Sequence, residues 1–215
     1  MPSSRSPKVS IRRGILSRIN RSPLATPSLD NQYQVTVNVG GTGDKYRLVR
    51  YINENYGVNQ RYILDNVGVA CYDATLPTSS FATAEVKDNF QGINQQFAHT
   101  RLYVDSNFSF YVDTDYNVLK FFEGWMDFIS SGGSASENSE NYYRRMQYPA
   151  AYKCDGITIT KFDKNIETSM THRFINAFPK SIQSIPVKYG TADVLKVTVT
   201  FAYDRYVLYP NKDRR

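Results

Sequence analysis

Apolar and polar residues alternate with a period of two over Tyr33, Val35, Val37 and Val39, with Gln34, Thr36 and Asn38 between them. This pattern predicts a half-buried strand. The alternation returns, more strongly, over Leu195, Val197, Val199, Phe201 and Tyr203 against Lys196, Thr198 and Thr200, and predicts one long strand running to about Leu208. Between these two lie more strand candidates. Gly40 to Asp44 reads as a hairpin turn, with Tyr46 to Tyr51 returning as the partner strand. Val67 to Tyr72 reads as a strand halted by Leu76-Pro77, because proline lacks the ladder donor. Phe97–Val104, Phe108–Val112, Ile157–Phe162, Met170–Ala177 and Ser181–Val187 complete the set. Thr78 to Gln96 is polar without a clear period and predicts a loop, as does the Gly/Ser/Asn/Glu-rich stretch Ser131 to Asn141.

The period changes at Tyr116. Val118, Leu119, Phe121, Phe122, Trp125, Met126, Phe128 and Ile129 fall on one broad face at helical spacing, opposite a thin stripe of Lys120, Glu123 and Asp127. They predict a helix over Tyr116–Ile129, capped by Thr114 and Asp115, and the only long helix in the chain. Its core face is Phe121, Phe122, Trp125, Phe128 and Ile129. Each large ring there can bury about 150–250 Å², worth about 25 cal/mol per Å². Strands, one helix, then strands, without βαβ alternation, predict a mainly β fold: an antiparallel sandwich or barrel with one flanking helix.

Length and charge divide the chain. Its 215 residues suit one large β-rich domain, or two small ones, and no apolar run is long enough to cross a membrane. The net charge of +6 is uneven. Residues 1–29 carry Arg5, Lys8, Arg12, Arg13, Arg18 and Arg21 with no acid, and the other 20 basic residues balance 20 acidic ones. Residues 1–30 therefore read as a basic, Pro- and Ser-rich extended arm and residues 31–215 as the domain. A neutral body argues against a nucleic-acid-binding fold, which needs a basic face of its own. The arm, with Arg12, Arg13, Arg18 and Arg21 as its docking residues, is open to three readings: a solvated tail, a segment docked on an acidic protein neighbour, or a nucleic-acid contact. Its Arg- and Ser-rich character also resembles a transit peptide, whereas the lack of an apolar stretch behind it argues against a secretory signal.

Candidate chemistry is sparse. Cys71, His99, Cys154 and His172 are separated by 28, 55 and 18 residues, which matches no compact metal motif and no disulfide framework. Gly40-Gly41-Thr42-Gly43-Asp44-Lys45 lacks the Gly-Lys-Ser/Thr ending of a phosphate loop. Asp113 and Asp115 read as strand-end and cap residues, and Asp127 as the solvated helix face. Nothing implies a cofactor, and an enzyme is the least favoured class. A structural or interaction protein comes first, with a β-sandwich binding module as the alternative.

Four segments carry a family resemblance. They are Cys71-Tyr72-Asp73-Ala74-Thr75-Leu76-Pro77; the strand and helix from Phe108 to Ile129; Ile157-Thr158-Ile159-Thr160-Lys161-Phe162-Asp163; and Phe174-Ile175-Asn176-Ala177-Phe178-Pro179-Lys180-Ser181-Ile182 with Ile185-Pro186-Val187 and the last strand. In this order, from Cys71 to Leu208, the chain resembles the tail tube proteins of contractile-tailed bacteriophages. The resemblance implies a virion protein, assembled in the host cytoplasm, with no catalytic activity. It implies hexameric rings that stack into a tube and partners in the tail sheath and baseplate. It also implies a lumen that passes phage DNA at ejection without sequence-specific binding. Thr78–Gln96, with Phe81, Phe90 and Ile93 as its apolar positions, is then the expected ring-stacking loop. Residues 1–32 have no counterpart in a plain tube subunit, which keeps a baseplate-proximal tube initiator as the alternative role.

Deleting residues 1–30 is expected to leave the cooperative thermal transition in place while weakening attachment to neighbouring proteins. Loss of the transition would show that the arm is part of the fold.

Overall fold

The computed structural model describes residues 30–40, 45–87, 92–130, 146–162, 169–187, 189–190 and 193–211. Ten strands and four helices follow in the order β1 (Tyr33–Asn38), α1 (Lys45–Tyr56), α2 (Gln60–Asp65), β2 (Cys71–Ala74), β3 (Ser79–Val86), β4 (Gln95–Tyr103), β5 (Ser106–Tyr111), α3 (Asn117–Ile129), α4 (Pro149–Tyr152), β6 (Gly156–Phe162), β7 (Ser169–Ile175), β8 (Phe178–Ile182), β9 (Lys196–Ala202) and β10 (Arg205–Asn211). The first sheet has the order β1-β6-β7-β10, the second β2-β5-β9-β8, and β3 pairs only with β4. Every pairing is antiparallel. The fold is mainly β, as the alternating pattern predicts.

The register sorts side chains by face. Val35 sits opposite Ile159, Val37 opposite Ile157, and Ile157 opposite Phe174, all buried. In the second sheet Phe108 lies opposite Val199 and Phe110 opposite Val197, also buried. The sheets meet where the Phe108 ring packs edge-on to Phe174 at 5.7 Å. Away from that contact α3 supplies the core. Phe122 lies 4.8 Å from Phe110 and 5.9 Å from Phe201, and Trp125 lies 6.3 Å from Phe201. Phe121, Phe122 and Trp125 are fully buried, Phe128 is buried and Ile129 half-buried. The Trp125 indole N–H donates to the Tyr152 carbonyl at 2.9 Å, so α4 satisfies the polar atom of the largest buried ring.

Several local expectations are corrected. Residues 46–51 form no strand: Leu48, Val49 and Ile52 are buried on one face of α1, a spacing a short apolar window leaves ambiguous. The long helix is therefore not alone. The helix α1 crosses α3 at Gly124, where an added Cβ would stand 2.9 Å from the Tyr56 ring. Asp127 is not a solvated residue: its Oδ2 accepts hydrogen bonds from Tyr51 at 2.7 Å and Tyr56 at 3.1 Å. Neither Thr114 nor Asp115 caps α3. The N-cap position is Tyr116 in the left-handed region (φ 59°), and the first turn is served by Asp113, which accepts from the Asn117 side chain at 2.8 Å and from the Val118 N–H at 3.4 Å.

Thr78–Gln96 is mostly not a loop, since β3 and the start of β4 lie within it. The strand expected over Val67–Tyr72 begins only at Cys71, because Gly68 abuts the β1 backbone: a Cβ there would lie 2.2 Å from the Val35 carbonyl oxygen. The strand expected from Ser181 is shifted upstream to Phe178–Ile182. The final strand divides into β9 and β10, in different sheets. At the break Asp204 donates its N–H to Ile175 O (3.1 Å), while its carboxylate accepts from Lys153 at 2.8 Å and Asn176 at 2.7 Å. Those two bonds hold its carboxyl below the usual range. Asn176, with φ 57°, turns the chain from β7 into β8, so the β7–β8 and β9–β10 crossings between the sheets are stapled to each other.

Replacing Trp125 by Ala is expected to cost about 3–5 kcal/mol in a denaturant titration, and Trp125→Asp to abolish the cooperative transition. A variant with an unchanged midpoint would place the core elsewhere.

Candidate assembly surfaces

Two four-stranded sheets leave four edge strands, each with unpaired backbone donors and acceptors. Three are blunted. β2 has four residues and a register shift between Cys71 and Asp73. β8 has five residues, contains Pro179 and is shifted between Pro179 and Ser181. β1 has Gly68 against its Val35 carbonyl. β10 differs: its seven residues keep an unbroken register from Arg205 opposite Ile175 to Asn211 opposite Ser169, and its one proline, Pro210, falls next to its end, leaving Arg205 to Tyr209 free of proline. Leu208 and Tyr209 on it are 45% and 50% exposed. Among the edges of the two four-stranded sheets it is the longest with an unbroken register.

The β3–β4 hairpin is the second surface. Almost every described residue of it is exposed. Its register pairs Ser80 with Leu102, Ala82 with Thr100, Ala84 with Phe97 and Val86 with Gln95, which makes one face mostly apolar. Phe97 on that face is 54% exposed, Phe81 on the opposite face 61%, and Ile93 between the strands 67%. An isolated two-stranded ribbon is marginal in water, so its root matters. There the Arg101 guanidinium donates to Ser79 Oγ at 3.0 Å and to the Tyr206 hydroxyl at 3.2 Å, and Ser79 Oγ and Tyr206 share a further bond at 3.2 Å. The Tyr103 ring stands edge-on to Tyr206 at 5.7 Å, and the Tyr203 hydroxyl donates to the Val104 carbonyl at 2.6 Å. The bond with Ser79, then those from Arg101, hold the Tyr206 phenol below its ordinary value.

The two sheets show polar outer faces. The first presents Gln34, Thr36, Asn38, Thr158, Thr160, Thr171 and Arg173 between its buried rows, with Thr160 and Thr171 hydroxyls 3.2 Å apart and the Arg173 guanidinium donating to the Asp155 carbonyl at 3.2 Å. On the second, Ser109 bonds Thr198 at 2.9 Å and Thr200 donates to Asn107 at 2.8 Å. A cavity of about 470 Å³ lies between α3 and β8, lined by Met126, Met146 and Phe178 with Glu123 and Lys180 at its polar positions.

The candidate chemical residues are not gathered. His99 is exposed on β4 and bonds Thr100, while His172 is buried on β7 beside the Tyr206 ring, its pKa lowered by burial. Both cysteines are buried, and burial pushes the Cys71 thiol up to about 12. Among the described residues no three His, Cys, Asp or Glu side chains stand close enough to hold a metal. Gly40 is followed by a helix from Lys45, not by a strand, with Gly41 to Asp44 outside the described residues. Phe90, the Ser131–Asn141 loop and the arm residues Arg12, Arg13, Arg18 and Arg21 also lie outside them. Sequence reasoning missed Tyr206, Arg101 and Ser79. The adjacent charges Asp204-Arg205, which break the apolar alternation, are the signal that separates β10 from β9.

The sequence profile described as phage tail tube protein matches residues 28–209. No curated protein matches. Among solved structures, a chain of the sheath–tube complex of the PVC extracellular contractile injection system, in its extended state, aligns with a TM-score of 0.54 at 16% identity, covering 91% of this chain and 97% of that one. A chain of the six-fold symmetrised anti-feeding prophage baseplate aligns at 0.55 and 10% identity, covering 86% and 96%. A chain of the anti-feeding prophage tube-terminating cap aligns at 0.52 and 16% identity, covering 86% and 92%. At such identities the likeness is one of fold.

Proposed function

The chain belongs to the phage tail tube protein family, and from that premise we propose that it is a structural subunit of a contractile phage tail tube: six copies close a ring, rings stack, and the lumen conducts the genome. The observation that carries this reading is the contrast between β10 and the three blunted edges. A monomer that worked alone would gain from covering its longest edge. A repeated heterologous contact through that edge gives a ring when its rotation closes. The exposed apolar face of the hairpin is the axial contact with the next ring, which assigns Phe97 and Leu102 to stacking, with Ile93 at the tip and Phe81 on the opposite face completing an exposed apolar ribbon.

If the first sheet continues from copy to copy, its outer face is the wall. Gln34, Thr36, Asn38, Thr158, Thr160 and Thr171 carry no charge there; Arg173, opposite Thr158, and Arg205, at the β10 edge, are the cations of that face, and the Arg173 guanidinium donates to the Asp155 carbonyl. A wall that is mostly neutral suits a conduit, because each Lys or Arg contact to a phosphate adds affinity through counterion release. The basic arm then lies outside or along the ring interface. Sheath and baseplate proteins are its natural neighbours.

The baseplate-proximal initiator remains the second reading. It is favoured by the residues before position 28, which the family profile leaves unmatched. Copy number separates the roles: quantitative mass spectrometry of virions gives one ring's worth for an initiator and many for a main tube subunit.

Negative-stain microscopy of the purified chain is expected to show six-fold rings or filaments. Leu208→Lys with Tyr209→Lys is expected to keep the thermal transition but weaken ring formation about tenfold or more, or about 1.4 kcal/mol per contact. A clean monomer at high concentration, or rings indifferent to both substitutions, would refute the edge-pairing reading.

A further inference from the structure

The hairpin and the open edge are joined at one residue. Tyr206 belongs to β10, and its ring and hydroxyl form the seat of the hairpin root. Arg101 and Ser79 lie on opposite strands of the hairpin, so the triangle of bonds among Arg101, Ser79 and Tyr206 grips both strands at once. The Arg101 guanidinium also stands 5.4 Å from the centres of the Tyr103 and Tyr206 rings. On its far side the Tyr206 ring rests 6.2 Å from buried His172. The remaining tie, Tyr203 to the Val104 carbonyl, comes from the turn that precedes β10. Every one of these contacts therefore reaches the body through β10 or its entry turn.

We propose that Tyr206 is a positioning residue that couples the two assembly surfaces: clamped by Arg101 and Ser79, it sets the angle at which the β3–β4 hairpin leaves the body, so that a neighbour's strand laid along β10 also fixes the hairpin for stacking. This deepens the tube-subunit reading and rests on it. A two-stranded ribbon with no covered face has little of its own to hold a direction. β10 alone is paired on one side only, and edge strands open more readily than central ones. Pairing its second side stiffens the strand that carries the seat. Ring closure then precedes and promotes stacking, which orders the two steps of growth.

Tyr206→Phe removes the hydroxyl and keeps the ring. Arg101→Lys keeps the charge and loses the planar fork. Hydrogen exchange on the free chain is expected to show the amides of residues 79–103 exchanging about tenfold faster in both variants, with amides of β6, β7 and β9 unchanged. Both variants are expected to form rings like the parent and to raise the protein concentration needed for filaments about tenfold. In the parent, ring formation is expected to slow hairpin exchange before any stacking occurs. Phe97→Ser is the contrasting variant: it is expected to impair stacking with hairpin exchange in the free chain unchanged.

Unchanged hairpin exchange in Tyr206→Phe would overturn the clamp. Faster exchange with normal filament growth would overturn the coupling. A parent chain that forms neither rings nor filaments would defeat the tube-subunit reading and the coupling with it, while exchange on that free chain would still decide the clamp.

Discussion

Unpaired backbone groups along the rim of a sheet are the constraint around which this chain is arranged. A four-stranded sheet must end twice, and each ending is either shortened, kinked, covered or offered to another molecule. Here a bulge, a proline and a glycine contact deal with β2, β8 and β1. β10 keeps seven residues in register with only one partner strand, and its proline, Pro210, stands next to its end. The asymmetry gives the subunit a direction, which a heterologous contact requires.

The aromatic nest around α3 makes that arrangement affordable in stability. Phe110, Phe121, Phe122, Trp125 and Phe201 fill the space where the two sheets part, and Phe108 against Phe174 holds them where they meet. Because α1 lies over α3, with Tyr51 and Tyr56 closing on Asp127, the core is completed by helices and needs no strand from another copy. The rims and the hairpin are thus left outside the core. Substitutions there act on assembly more than on folding, whereas substitutions in the nest act on both.

What the sequence revealed follows from period and length. The alternation over Tyr33–Val39 and Leu195–Tyr203 and the apolar face of the thirteen-residue helix α3 were each long enough to declare their type. The helix α1 was hidden because Tyr46, Arg47 and Leu48 open like a period-two run beside a glycine-rich turn, and the helical spacing of Leu48, Val49 and Ile52 shows only over the longer window. Phe97–Val104 announced most of β4, but β3 was hidden because its row of Ala82, Ala84 and Val86 is made of small, unburied residues within a polar stretch. The division of the last strand was signalled only by Asp204-Arg205, and its reason, the bonds from Asp204 to Lys153 and Asn176, is tertiary. The Tyr206 seat joins residues 79, 101 and 206, a proximity that no local pattern encodes.

The most direct test of the account is a density map of the assembled protein, read at the outer side of β10. The account predicts backbone hydrogen bonds from β10 to a strand of the adjoining copy, so that one sheet runs unbroken around the ring. A map in which β10 faces solvent and each copy forms a solitary barrel touching its neighbours through side chains alone would contradict it.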